Sequence, residues 1–394
     1  MHQDPQPHRF YRFNVGFLIC LAMCVLLFYV ALVRVAIQSA TANHPEAQTQ
    51  AIVSTNGTSL DSLPKGFSGY NQPHIEPMTP DDLAEIRSKG NNTRDSFRIL
   101  VGFTHFNYDD PIVYPGKPNA SHLHMFAGNS NMNASVTRDN IRDCSSMSQG
   151  GTANCSGYWI PAVVDAAGVP QVPHWHINES DDPRMGKMMV YYKSYGVANS
   201  LAFQAPPLGF KMIAGNASNT PDTPQNTQYI RWQCLDGATE TALTPNQPYI
   251  PVCQPNDMLF LTLQFPQCWD GVNLDSPNHQ SHTAYSADAT CPASHPVAIP
   301  QISYLISFKT GEQGTAGWRV ASDSYPVSPK TPGGHSIHAD WFNGWDTQIM
   351  SRLVNNCIHR EVDCGVGNLN DGERLAADFL FASSPDEAES LFRN

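Results

Sequence analysis

The residues most able to do chemistry in this chain are histidines, and they are clustered. The 15 His residues include Ser121-His122-Leu123-His124, His174-Trp175-His176, Asn278-His279-Gln280-Ser281-His282, Ser294-His295-Pro296 and His335-Ser336-Ile337-His338-Ala339-Asp340. Residues i and i+2 of a β-strand point to the same side. His122 and His124 are therefore expected to present two imidazoles to one site. His338 and Asp340 are expected to present an imidazole and a carboxylate from another strand. An aspartate orients a histidine, stabilises its charged form, or joins it as a metal ligand. His282 and His295 sit in polar loops flanked by Cys268 and Cys291. The expected shared site is His122, His124, His282, His338 and Asp340. Such a group supports either acid/base chemistry near neutral pH or a divalent metal ion, the latter drawing on His122, His124, His282, His295 and His338. His174, His176 and His335, beside the Gly333-Gly334 turn, are expected to be ordinary structural or surface residues.

Aromatic side chains follow the last cluster: Trp341, Phe342 and Trp345, with Asn343-Gly344 between them. An exposed Trp platform suits stacking on sugar rings, so Tyr285, Trp341, Asn343 and Trp345 are the candidates for substrate contact. The competing expectation, a core plug, applies to at least two of those three aromatics. The carboxylate pair of a glycoside hydrolase cannot be chosen among Asp270, Asp275, Asp288, Asp340 and Asp346, because sequence spacing gives no distance. G-x-S-x-G, P-loop, G-x-G-x-x-G and H-E-x-x-H patterns do not occur, so serine-hydrolase, nucleotide and zincin chemistries lack sequence support.

The elements that must hold these residues read as strands. Short apolar or aromatic runs recur at Phe97–Thr104, Tyr158–Val164, Met188–Tyr195, Phe210–Ala214, Met258–Phe265 and Val297–Phe308, bounded by Pro, Gly and Asn. Helices are expected near 80–89 and at Ser384–Arg393, both opened by capping residues, and at Asp346–Asn356, with Ile349, Met350, Leu353 and Val354 on one face. The expected fold is mainly β: a single large disulfide-stapled β-sandwich or jelly-roll-like domain over 94–394, with long loops and few short helices. Outside the hydrophobic N-terminal segment lie eight cysteines, an even number that fits four disulfides in an oxidising compartment. Nearest-neighbour pairing is expected, because each bond then closes a short loop: Cys144 with Cys155, Cys234 with Cys253, Cys268 with Cys291, and Cys357 with Cys364.

Val15–Val33 carries no charge, is preceded by Arg9 and Arg12, and is long enough to span a bilayer as a helix. Residues 1–13 then read as a cytoplasmic tail and 14–37 as a signal anchor. The alternative is a signal peptide cut after Ala40-Thr41-Ala42. Residues 38–93, rich in Gln, Ser, Thr, Asn, Pro and Gly, read as a flexible stalk. Seven N-x-S/T sequons, at Asn56, Asn91, Asn119, Asn133, Asn154, Asn178 and Asn216, are glycosylation candidates in a eukaryotic host. A net charge of −12 without a Lys/Arg cluster argues against nucleic acid as a partner.

A family resemblance adds to these expectations. Asp110-Pro111-Ile112-Val113 with Pro115-Gly116, then Ser121-His122-Leu123-His124-Met125-Phe126-Ala127-Gly128-Asn129, resembles the opening motif of the family called domain of unknown function nineteen-ninety-six. In order follow Tyr158-Trp159-Ile160-Pro161, Tyr191-Tyr192, Cys268-Trp269-Asp270-Gly271-Val272-Asn273, Asp275-Ser276-Pro277 with His279 and Ser281-His282, Cys291-Pro292, Ser294-His295-Pro296-Val297, Ile299-Pro300-Gln301 and His338 to Asp346. The resemblance covers roughly 98–357. It implies a secreted or envelope protein. Fungal members often sit beside WSC and other carbohydrate-binding modules, which implies work on cell-wall polysaccharide. It brings no catalytic residues with it. The expected function is thus an extracytoplasmic polysaccharide-active hydrolase or lyase using the His/Asp cluster. The alternative is a non-catalytic glycan- or metal-binding envelope protein.

Overall fold

In the computed structural model of the chain the described residues are 69–80, 95–174 and 186–376. The chain divides into two units, 1–54 and 55–394. The expected anchor, most of the stalk, the helix near 80–89, the helix at 384–393 and His176 lie outside the described residues. Among the described residues no helix is long and apolar enough to cross a membrane.

The architecture is mainly β, at 35% strand and 6% helix. In chain order the strands are β1 (Ile75–Pro77), β2 (Ser96–Asn107), β3 (His124–Gly128), β4 (Gly157–Pro161), β5 (Val163–Val164), β6 (Lys187–Lys193), β7 (Lys211–Gly215), β8 (Ile230–Leu235), β9 (Met258–Gln264), β10 (Cys268–Trp269), β11 (Thr283–Ala284), β12 (Val297–Ala298), β13 (Gln301–Lys309), β14 (Arg319–Val320), β15 (His338–Phe342), β16 (Asp363–Val366) and β17 (Glu373–Leu375). Nine of them form one continuous path, β7-β15-β4-β3-β2-β6-β13-β9-β8, and β16 adds in parallel beside β2. This sheet is nearly closed. Its two ends approach where Gly215 of β7 faces the Ile230 side chain of β8.

Alternation along the strands explains the curl. β2, β4, β9 and β13 each send Val, Ile, Leu, Phe or Tyr to a common inside. There Phe97, Val101, Tyr158, Tyr192, Trp232, Leu261, Tyr304 and Trp341 are packed with almost no exposure. Burying each such side chain contributes about 1.5–3 kcal/mol. Several of the polar groups within this core are paired, although the Trp341 indole nitrogen is buried without a partner. The Tyr158 and Tyr192 hydroxyls lie 2.9 Å apart, the Trp345 indole N–H donates to Tyr192, and Tyr304 donates to the Asp340 carbonyl. Trp341 and Trp345 are therefore core plugs, 0% and 1% exposed, not a sugar platform. The physical reason is strand alternation. Trp341 lies on the inner face of β15 beside Ala339, and Trp345 docks as the chain leaves the strand.

Disulfides fall where nearest-neighbour pairing puts them: Cys144–Cys155, Cys234–Cys253, Cys268–Cys291 and Cys357–Cys364. Cys234–Cys253 and Cys268–Cys291 each fasten a loop to a strand, Cys357–Cys364 ties the π turn to β16, and Cys144–Cys155 closes a loop before β4. The expected helix at Asp346–Asn356 is a helix α1 (Thr347–Leu353) running into a π turn at Val354–Ile358. Asp346 caps it by accepting from the Gln348 and Ile349 amides. Among the sequons, Asn154 is fully buried with its amide donating to the Tyr158 hydroxyl, which leaves no room for a glycan in the folded state.

Candidate metal centre

The outer face of the strands β7-β15-β4-β3-β2 carries the site. In antiparallel register Ile213, Asp340, Trp159, Phe126 and His105 lie across from one another on successive strands, so their side chains share a face. That face is the one away from Trp341, Tyr158 and Met125. It is covered by the long connection between β3 and β4. Ile112, Met132, Val136 and Ile141 of the covering segments pack on Phe126, Trp159 and Phe342 as a second apolar cluster. Gly128 ends β3 at φ +83°, and a side chain there would collide with the Ser156 carbonyl at 2.7 Å. The covering connection can start only from glycine.

Two residues before Asp340 and two before Phe126 on this face come His338 and His124. His124 stands opposite Pro161 of β4, and continuing the β15–β4 register brings His338 level with the same proline. The two imidazoles have centroids 6.0 Å apart. His122, in the bend just before β3, completes the group. Its ring lies 4.3 Å from His124 and 5.1 Å from His338. One ring nitrogen from each of the three lies within 4.8 Å of the others.

The tautomers follow from the partners. His124 Nδ1 lies 2.9 Å from the Asp109 carbonyl oxygen, and His338 Nδ1 lies 3.0 Å from that of Ser336. A carbonyl only accepts, so both Nδ1 atoms carry the proton. In the neutral rings each Nε2 holds a lone pair. A backbone carbonyl holding Nδ1–H is the usual support of a metal-ligating histidine. The His122 and His124 Nε2 atoms are buried and have no hydrogen-bond partner. His338 Nε2 faces Asp340 Oδ2 at 3.8 Å, and both Asp340 oxygens are buried without a partner. Lone pairs and a carboxyl thus point together with no hydrogen bond made among them.

Burial dominates the acid/base behaviour. It pushes His124 and His338 down to about 4 and His122 well below its ordinary value, with the neighbouring imidazoles lowering His122 and His338 further. The three rings are neutral, and so competent as ligands, at physiological pH. Burial likewise raises Asp340 well above the ordinary carboxylate range, helped by the nearby charge of Asp110. Without a cation, Asp340 keeps its proton. His122 is half-buried and gives the group its solvent edge, whereas His124, His338 and Asp340 are almost fully enclosed.

Other expected site residues stand elsewhere. His282 is not in the group: its Nε2–H donates to the Lys211 carbonyl at 2.7 Å and its Nδ1 accepts from the Ser276 hydroxyl at 2.9 Å, so neither nitrogen is free for a metal. His295 is also a peg, on the exposed side, bonded to the Ser294 hydroxyl and the Ser281 carbonyl. Asn343 is buried, its amide donating to the Pro206 and Pro207 carbonyls. Tyr285 stacks on Tyr229 with centroids 3.7 Å apart and donates to the Gln264 carbonyl. With Trp341 and Trp345, none of the four expected substrate contacts is presented to solvent as a platform. His174 and His335 are buried, not on the surface. Asp109 and Asp110 were missed as site residues. Asp110 opens the motif quoted above, but nothing in its spacing says that its carboxylate would cap the Ile112 and Val113 amides beside three imidazoles.

A family model, described as a domain of unknown function (DUF1996), matches residues 110–345. The chain belongs to the DUF1996 family. The match spans the whole site, from Asp110 through His122 and His124 to His338 and Asp340. No curated protein and no solved structure matches the chain.

Proposed function

We propose that this DUF1996 protein is an extracytoplasmic metalloenzyme whose His122–His124–His338 centre binds a divalent transition ion, with Asp340 as a further oxygen donor. One observation carries the reading: a buried carboxyl without a hydrogen-bond partner faces a histidine lone pair, in a group of three convergent neutral imidazoles. Leaving such groups unpaired costs on the order of 1–3 kcal/mol each. A cation relieves all of them at once. Imidazole nitrogen with one carboxylate oxygen suits zinc or its neighbours and not calcium or magnesium. Metal–nitrogen bonds are about 2.0–2.1 Å, so the ring nitrogens, within 4.8 Å of one another, would draw together to hold an ion.

Three histidines with a solvent edge at His122 match a centre that keeps a position for substrate, and metal-assisted bond cleavage is the chemistry it would supply. Cell-wall polysaccharide is the proposed substrate class, resting on what the family resemblance implies and not on an exposed aromatic platform. Four disulfides support an oxidising, extracytoplasmic setting. The enclosure of His124 and Asp340 favours a second reading, a closed structural metal site without turnover. Metal analysis of the purified protein tests the common ground. About one equivalent of zinc-type metal is expected in the wild type and less than a tenth of that in His122→Ala and His338→Ala. Equal metal content in all three would sink the centre. Glycan products that require the metal separate the enzyme from the closed site.

A further inference from the structure

The segment between β10 and β11 is pinned unusually well for a polar loop. The Cys268–Cys291 bond, the His282 and His295 pegs, and a bond from Gln280 to the Gly215 carbonyl hold it along β7. It carries a histidine the centre does not use. His279 Nδ1 lies 2.9 and 3.1 Å from the two Asp275 oxygens. A carboxylate only accepts, so Nδ1 holds the proton and Nε2 the lone pair. That Nε2 has no hydrogen-bond partner among the described residues, and the side chain is 23% exposed. Both other histidines of this loop system have both nitrogens occupied. His279 also sits at φ +57°, a conformation rare outside glycine and enriched at functional sites.

Two loops meet at Lys211. Its amine donates to the Pro111 carbonyl at 3.4 Å and lies 3.6 Å from Asp275 Oδ2. Pro111 directly follows Asp110, and Asp109 holds His124, so one short stretch of backbone touches the three-histidine centre directly and reaches the Asp275 loop through Lys211. Asp110 feels the charges of His338 and His279 alike. The groups around His279 are Asp275 on its own segment, which Lys211 of β7 pairs in turn, Asp110 on the connection between β2 and β3, and His282.

We propose that Asp275 and His279 form a proton-handling pair that serves the three-histidine centre. This rests on the metal reading above. The His279 Nε2 lone pair takes a proton from a substrate hydroxyl or water held at the centre. The O–H electron pair stays on that oxygen, which becomes the nucleophile. The imidazolium keeps its Nδ1–H on Asp275 and later releases the Nε2 proton to solvent or leaving group. Asp275 is a positioning residue. Burial alone would raise its pKa, but the His279 bond, Lys211 and the Ser276 amide hold it below the ordinary carboxylate value, so it stays ionised to do so.

The test uses the whole chain loaded with cobalt(II), whose visible bands report protonation at the centre from pH 5 to 9. His279→Asn is the main variant, because Asn tolerates the left-handed backbone. His279→Gln is the second, and His295→Gln the control. The expected result is a pH transition in the wild type, a midpoint moved by at least one unit (tenfold in the proton equilibrium) in both His279 variants, a smaller shift in Asp275→Asn, and none in the control, with equal cobalt content throughout. Cobalt bound equally well by His122→Ala would overturn the centre itself. Cobalt bound by the wild type with no transition, or with an unmoved midpoint in the His279 variants, would overturn the pair and leave the centre standing.

Discussion

Asp340 is 0% exposed, faces His338 Nε2, and has no donor on either oxygen. Its carboxyl is held protonated by burial when the centre is empty and has a reason to ionise only when a cation arrives. Asp340→Asn imitates the protonated form in shape and charge. The variant is expected to fold with a melting temperature close to that of the metal-free wild type, while zinc affinity falls roughly ten- to a hundredfold. Competition with a chromophoric chelator measures the second quantity and calorimetry the first. An Asn variant that binds zinc as tightly as the wild type would remove Asp340 from the ligand set.

Among the elements, the connection between β2 and β3 decides whether the imidazoles stay aimed. Asp109 is its clasp. Oδ1 accepts from the Asn119 amide, Oδ2 from the Ala134 amide, and the backbone carbonyl holds His124 Nδ1. Asp109→Ala removes one buried and one partly buried bond to its carboxylate and is expected to cost on the order of 2–4 kcal/mol. Because His124 then loses a rigid partner, zinc affinity is expected to fall in the same variant. Urea midpoints with and without zinc check both: zinc should raise the midpoint less in Asp109→Ala than in the wild type. An unchanged zinc increment would show that the clasp serves stability alone. The loop bearing Asp275 and His279 is built on the same plan, with His282 and His295 as its pegs. These two histidines, expected at a metal, instead position a loop.

For the whole molecule, buried neutral histidines make the metal-free fold acid-sensitive. His105, stacked on Phe126 and bonded to the Met132 carbonyl, joins His124 and His338 at about 4, in each case chiefly because burial disfavours the charged ring. The unfolded chain titrates these rings near 6.5. Between pH 6.5 and 4 it binds protons that the folded chain does not. Stability is therefore full above pH 6.5 and falls as the pH drops to 4, by roughly 3 kcal/mol for a ring such as His124 or His338. Asp340 acts in the opposite sense: its raised value gives stability below pH 3.8 that is lost as the pH rises. Urea unfolding of chelator-treated protein at pH steps from 7.5 to 4 should show the midpoint falling through that window. A flat profile would mean these rings are already protonated or exposed. Zinc should raise the midpoint at pH 7 and lose that effect in acid, because protons compete for the same lone pairs.

The chain by itself determined what depends on local chemistry. Strand-length apolar runs, turn residues and cap signals specified a mainly β body, and short cysteine spacings specified all four bonds, because closing a short loop costs least entropy. The i, i+2 spacing named His338 with Asp340, since strand geometry fixes which neighbours share a side, and His122 with His124, although His122 reaches the group from the bend before β3 and not from a strand. Only the tertiary structure decided which of those sides met. Sheet register set His338 level with His124 across Pro161, turned Trp341 inward, and left His282 bonded along β7. Register is a long-range quantity, set by how the whole sheet curls to bury its inner face, and a one-residue slip would reverse every one of these assignments.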